Sequence, residues 1–197
     1  MSVRPDISER LIHFTSGVDL EEAFGRLCSI IDDSRLLGGG GMIRGGYRCI
    51  CFTEAPLPSL QHGLVNPSAY SRYKPFGIIV DKTWLYAEGG RPVIYQRDDE
   101  YDLLPDQLKW RHVRYEPDYD PVVDFTWERE WRILADDVQL GPSYAGIVVP
   151  ERSWANRLVE AHEEQQDFLI REYSLIMSQS IAEQYRESFA WPVYALG

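Results

Sequence analysis

The sequence predicts an α+β domain with mostly antiparallel strand pairing. Short apolar runs of strand length are mixed with helical stretches, without the regular spacing of βαβ units. A chain of 197 residues with no internal repeat and no low-complexity linker is ample for one full core and short for two. Residues 1–197 are therefore read as one domain.

The elements follow in order. Arg10–Thr15 reads as a short strand. Asp19 then suits a helix N-cap, with Glu22 three residues on as its capping-box partner. Leu20, Ala23, Phe24, Leu27 and Ile31 recur at helical spacing, predicting a helix over 19–36 that the glycines from Gly38 to Gly41 end. Tyr47–Phe52 is strand-like, and Pro56 and Pro58 suit the first turn of a short helix. Further strands are expected at 76–80, 92–96, 110–115, 126–134 and 145–150, with a short segment around Trp84. Residues 98–107 read as an acidic surface loop, and Glu116–Pro121 as a second loop. Helices are expected at 154–163 and 174–186, and a last edge strand at 189–196.

Composition excludes several function classes. Twenty basic against thirty-one acidic residues give a net charge of −11, so no global attraction to nucleic acid or anionic lipid operates. A nucleic-acid contact would need a local basic patch or a single unpaired base. No apolar run reaches the roughly 18 residues that span a bilayer. The first ten residues lack the layout of a secretory signal, so a cytoplasmic location is expected. Cys28, Cys49 and Cys51 have no zinc spacing and read as buried reduced thiols, and no metal site is expected. Serine-hydrolase, zinc-protease and calcium-loop motifs are absent, and His62, His112 and His162 are scattered singly.

The most informative stretch is Asp124–Arg132. On a strand, Glu128, Glu130 and Arg132 would share one face, with Trp127, Arg129 and Trp131 on the other. The carboxylates would then lie roughly 6–7 Å apart, close enough to serve one sugar and stabilise a cationic transition state. The alternative is a solvated edge of Glu/Arg ion pairs between two packing tryptophans. His13, at a strand end, is either a group that hydrogen-bonds a ligand hydroxyl or a structural histidine. Arg44, in the glycine-rich loop, would close over a phosphate-bearing ligand, although the glycines match no Walker or Rossmann pattern. Thr53, in the strand end Cys51–Glu54, is either a site residue or a plain helix cap.

These pieces, in this order, resemble the AbiGi-type abortive-infection proteins of bacteria. The segments that carry the resemblance are His13-Phe-Thr15, the glycine-rich loop, Cys51-Phe-Thr-Glu-Ala-Pro-Leu57, Tyr73–Ile78, Arg91–Tyr95 and Trp127–Arg132, within residues 10–135. More distantly, the opening His-Phe-Thr with a late strand glutamate is similar to the DarT group of ADP-ribosyltransferases, which modify nucleic-acid bases. The resemblance implies an ADP-ribosyltransferase fold, two small mostly antiparallel sheets around a cleft that holds NAD, with flanking helices. It implies that His13 contacts the nicotinamide-side ribose, supported by Thr15, that Arg44 meets the diphosphate, and that Tyr47 and Tyr95 stack on nicotinamide. Glu130 would hydrogen-bond the ribose 2′-hydroxyl, and Glu128 would orient or deprotonate an acceptor. The alternatives are a non-catalytic antitoxin or partner-binding protein of an abortive-infection operon with the same fold, and an NAD or nucleotide hydrolase.

Overall fold

A computed structural model of the chain describes residues 7–41, 43–56 and 73–197. The first strand, β1 (Arg10–Ser16), leads into helix α1 (Leu20–Asp33). Asp19 caps α1 by accepting from the Glu22 amide, and the Glu22 carboxylate accepts from the Val18 amide, so the predicted capping box forms. The helix ends at Ser34, whose left-handed backbone (φ 49°) turns the chain into β2 (Arg35–Leu37). This end comes before the predicted boundary at 36, and Leu36 is buried in a strand instead.

Next come β3 (Cys49–Thr53), β4 (Tyr73–Asp81), helix α2 (Lys82–Ala87), β5 (Arg91–Pro92), β6 (Ile94–Gln96) and β7 (His112–Arg114). The predicted strand at 92–96 is thus two strands in two sheets. The acidic loop is largely 3₁₀ structure at Asp98–Leu103 and Asp106–Arg111. Strands β8 (Glu130–Leu134), β9 (Asp137–Gln139) and β10 (Ala145–Val149), helices α3 (Arg152–Tyr173) and α4 (Gln179–Ala182), and β11 (Val193–Ala195) complete the chain. The short helix expected at Pro56 and Pro58 falls mainly outside the described residues, as does His62.

Among the described residues, seven strands form one sheet in the order β11-β10-β4-β1-β3-β8-β5. All neighbours pair antiparallel except β10 and β11. Two small ladders, β2–β9 and β6–β7, stand beside it. The expectation of two small sheets is corrected by the β1–β3 contact, which joins the strands into one. That join is narrow, a single paired position, Ile12 with Thr53. To one side β1 pairs with β4 from Arg10 to Ser16, and to the other β3 pairs with β8 along its whole length. The halves therefore part beyond Ile12.

Burial explains the layering. Leu11, Phe76, Ile78, Ile147 and Val149 are fully buried on the face where α1 places Ala23, Phe24 and Leu27, and α3 places Leu158. Phe24, Phe76 and Trp154 meet ring to ring at centroid distances of 4.9–5.8 Å, docking both helices on β4. Each fully buried Leu, Ile or Phe contributes about 1.5–3 kcal/mol. Ile12, Ile79 and Val148 point to the opposite face, as strand alternation requires, and meet Leu196. No helix among the described residues is long and apolar enough to cross a membrane.

Candidate active site

Where the sheet halves part, the structure holds a cleft of about 870 Å³. A smaller apolar compartment of about 80 Å³ adjoins it. Both are lined by His13, Phe14, Cys51, Tyr73, Glu128 and Glu130. The narrow β1–β3 join places these side chains, because two strands that separate leave their inner edges facing open space rather than each other.

His13 bridges the gap. Its Nδ1 lies 2.8 Å from the Cys51 carbonyl oxygen, which can only accept, so Nδ1 carries the proton and donates. Nε2 is then an acceptor. Burial holds the His13 pKa below its ordinary value of 6.5, with the Cys51 hydrogen bond opposing the shift, so the ring is neutral at neutral pH.

Glu130 opens β8, and the alternation of this strand sends Glu130 and Arg132 one way and Trp131 into the core. The Arg132 fork donates to both Glu130 oxygens, Nε to Oε1 at 2.8 Å and Nη2 to Oε2 at 3.2 Å. Its Nη1 also donates to the Trp110 and His112 carbonyls at 3.0 and 2.9 Å. A bidentate, four-bond anchor fixes the carboxylate plane. Pairing to a neighbouring side chain, which the ion-pair alternative anticipated, is thus real at Glu130, although the pair is buried rather than solvated.

Glu128 departs from the predicted strand. Thr126–Glu128 is a 3₁₀ turn, and Arg129 adopts a left-handed backbone (φ 45°) before β8 begins. The shared strand face expected for Glu128 and Glu130 does not exist, yet the turn returns Glu128 to the same cleft. Thr53 fixes this turn by donating from Oγ1 to the Glu128 carbonyl at 2.6 Å, and it lines the smaller compartment. Among the described residues the Glu128 carboxyl has no ion-pair partner. Burial pushes its pKa up to about 7, and the Glu130 charge adds to the rise while Arg132 opposes it. Two carboxylates in one cleft therefore differ in state, one clamped by a guanidinium and the other poised near neutrality.

The remaining expected residues divide. Thr15 lines the large cleft, but its buried hydroxyl faces the Ala23 and Phe76 carbonyls at 3.2 and 3.1 Å and ties α1 to β4. Arg44 also lines the cleft, ion-paired to Asp98 at 2.6 Å. Tyr95 serves the backbone, accepting from the Glu130 amide at 3.0 Å and donating to the Phe125 carbonyl at 3.2 Å. Burial pushes its phenol up to about 12. Tyr47 packs over Gly45 and against the Ile43, Cys49 and Trp110 cluster. Neither tyrosine is among the residues lining the two compartments. Besides histidine, the aromatic residues that do line them are Phe14, Phe52, Tyr73, Phe125 and Trp127. Trp127, a packing residue in the ion-pair alternative, is 46% exposed. Sequence reasoning missed it because the 3₁₀ turn removes it from the strand's inner face.

All three cysteines are free, and burial pushes the Cys49 thiol up to about 11 and the Cys51 thiol higher still, with the Glu130 charge adding to both. Glu54 turns from the cleft to Lys82 and the Trp131 indole at 2.5 and 2.7 Å. No known protein family, curated protein or solved structure matches the chain.

Proposed function

We propose that the protein is an NAD-dependent ADP-ribosyltransferase-like enzyme of a bacterial phage-defence or toxin–antitoxin system. The supporting observation is the convergence of His13, Glu130 and Glu128 on one cleft, with the two carboxylates in different electrostatic states. Breaking the C–N bond of NAD sends the bonding pair to nicotinamide and leaves positive charge on the ribose. A fixed carboxylate stabilises that charge, and Glu130 is fixed by Arg132. His13 Nε2 is an acceptor for a ribose hydroxyl. Glu128, with a pKa of about 7, suits a general base that removes the acceptor's proton, a contribution on the order of 10²–10⁴. A nucleic-acid base is the acceptor that the resemblance to the DarT group suggests.

A second reading keeps the fold and drops catalysis, as a partner-binding antitoxin. The capture of Glu130 by Arg132 favours it, as does the exposed Leu175–Ile176 pair after α3. Nicotinamide release from NAD, followed chromatographically, separates the two. The enzyme reading expects release that Glu130→Gln abolishes and Glu128→Gln slows, with unchanged far-ultraviolet circular dichroism. No release, or a Glu130→Gln chain that fails to fold, contradicts it.

A further inference from the structure

Five arginines line the large cleft, and each meets a carboxylate. Arg26, Arg35, Arg114 and Arg132 take partners two to four residues away in the chain. Arg44 differs. Its Nη1 reaches the Asp98 carboxylate at 2.6 Å and the Asp98 carbonyl at 2.5 Å, across 54 residues of sequence. The glycine-rich loop supplies one partner and the Asp98–Leu103 turn the other, and both residues line the cleft. The Tyr101 ring lies under the guanidinium at 4.2 Å and its hydroxyl donates to the Arg44 carbonyl, which orients the arginine.

This pair is built to exchange. The side chains are 39% and 51% exposed, and an ion pair so open to water is weak. Gly45 and Gly46 follow Arg44 at φ 88° and 70°, backbone that other residues rarely adopt, so the loop is shaped to present this side chain. A phosphate offers a guanidinium more charge and more acceptor oxygens than a carboxylate does.

We propose that Asp98 is a resident competitor for an anion site. Arg44 is the phosphate-binding group of the cleft, and Asp98 occupies it until a phosphate- or diphosphate-bearing ligand displaces the carboxylate. The acidic 98–103 turn thereby sets the apparent affinity of the cleft and rejects ligands carrying only a carboxylate. The proposal rests on the NAD reading only in that NAD carries a diphosphate.

The test is calorimetric titration of inorganic pyrophosphate and, separately, NAD into four folded proteins at fixed ionic strength: wild type, Asp98→Asn, Arg44→Gln and the double variant. Asp98→Asn keeps the carbonyl contact and removes the competing charge, so pyrophosphate binds about fivefold tighter. Arg44→Gln weakens binding about tenfold, and in that background Asp98→Asn gives no gain. A gain that persists without Arg44 is a general charge effect and overturns the proposal. So does equal affinity of Asp98→Asn and wild type, or no pyrophosphate binding to any of the four. The pyrophosphate pattern without NAD binding removes the NAD reading alone, whereas NAD binding indifferent to Asp98 removes the competitor alone.

Discussion

Replacing Arg132 with methionine isolates the anchor of the site. Arg132 and Glu130 are 6% and 9% exposed, and the guanidinium makes four hydrogen bonds, two to the Glu130 carboxylate and two to main-chain carbonyls. Methionine matches much of the volume and supplies none of the donors. It leaves a buried carboxylate without a counter-charge, which costs about 3–5 kcal/mol. For a domain of this size, at about 2–4 °C per kcal/mol, the melting temperature falls by about 6–20 °C. Total stability is about 5–15 kcal/mol, so the variant stays folded at room temperature except at the low end. Urea and thermal unfolding at pH 7.5 measure the loss. Glu130→Gln combined with Arg132→Met removes both charges and recovers most of it, because the penalty belongs to the orphaned carboxylate rather than to the pair. A loss below about 1 kcal/mol, or a double variant no more stable than Arg132→Met, would refute the view of Glu130 and Arg132 as one buried unit.

Two further substitutions probe Glu128 in the cleft and the β1–β4 pairing beside it. The folded-state pKa of Glu128, about 7, lies above its ordinary 4.5, so the fold binds more protons than the unfolded chain between those values. Its ionised form therefore costs stability above pH 7, and the cost disappears as pH falls to 4.5. Glu128→Gln is expected to stabilise by on the order of 1 kcal/mol at pH 8, discounted for partial solvent access, and by nothing at pH 4.5. Thermal melts at the two pH values check this, and equal gains at both would contradict it. At Gly77 an added Cβ would sit 2.3 Å from the His13 carbonyl oxygen, so Gly77→Ala must push β4 from β1. The expected loss is about 1–3 kcal/mol with a displaced His13 amide resonance, and an unperturbed variant would mean the strands are not this close.

Much of the fold was legible in the sequence because local signals agreed with burial. The Asp19–Glu22 cap, the apolar stripe of α1 and the apolar run of β10 each correspond to one element. Where tertiary contacts decide, the reading failed. Helix α3 runs unbroken from Arg152 to Tyr173, ten residues past the end expected at Glu163. Gln166 is buried on the same stripe as Leu158 and Ile170, and its side-chain oxygen accepts from the Glu187 amide. Conversely, residues 174–186, expected as one helix, hold only a turn of α-helix and a 3₁₀ turn.

The site divides in the same way. Glu130 and Arg132 could be placed by strand position alone, since alternation on β8 fixes the face they share, whereas His13 lies within β1 rather than at the strand end expected. The left-handed backbone at Arg129 could not be read from composition, and it decides how Glu128 and Trp127 enter the cleft. Asp98 was invisible as a cleft residue because its role depends on a partner 54 residues away.

On the enzyme reading, NAD enters the cleft against His13. Titration of a hydrolysis-resistant NAD analogue, followed through the His13 ring resonances, tests it most directly. A saturable shift of the His13 Nε2 signal is expected, with Nδ1 still protonated against Cys51, and unmodified NAD should shift the same signal. An unmoved His13 at millimolar analogue would contradict the enzyme reading and leave the fold as a scaffold for a protein partner.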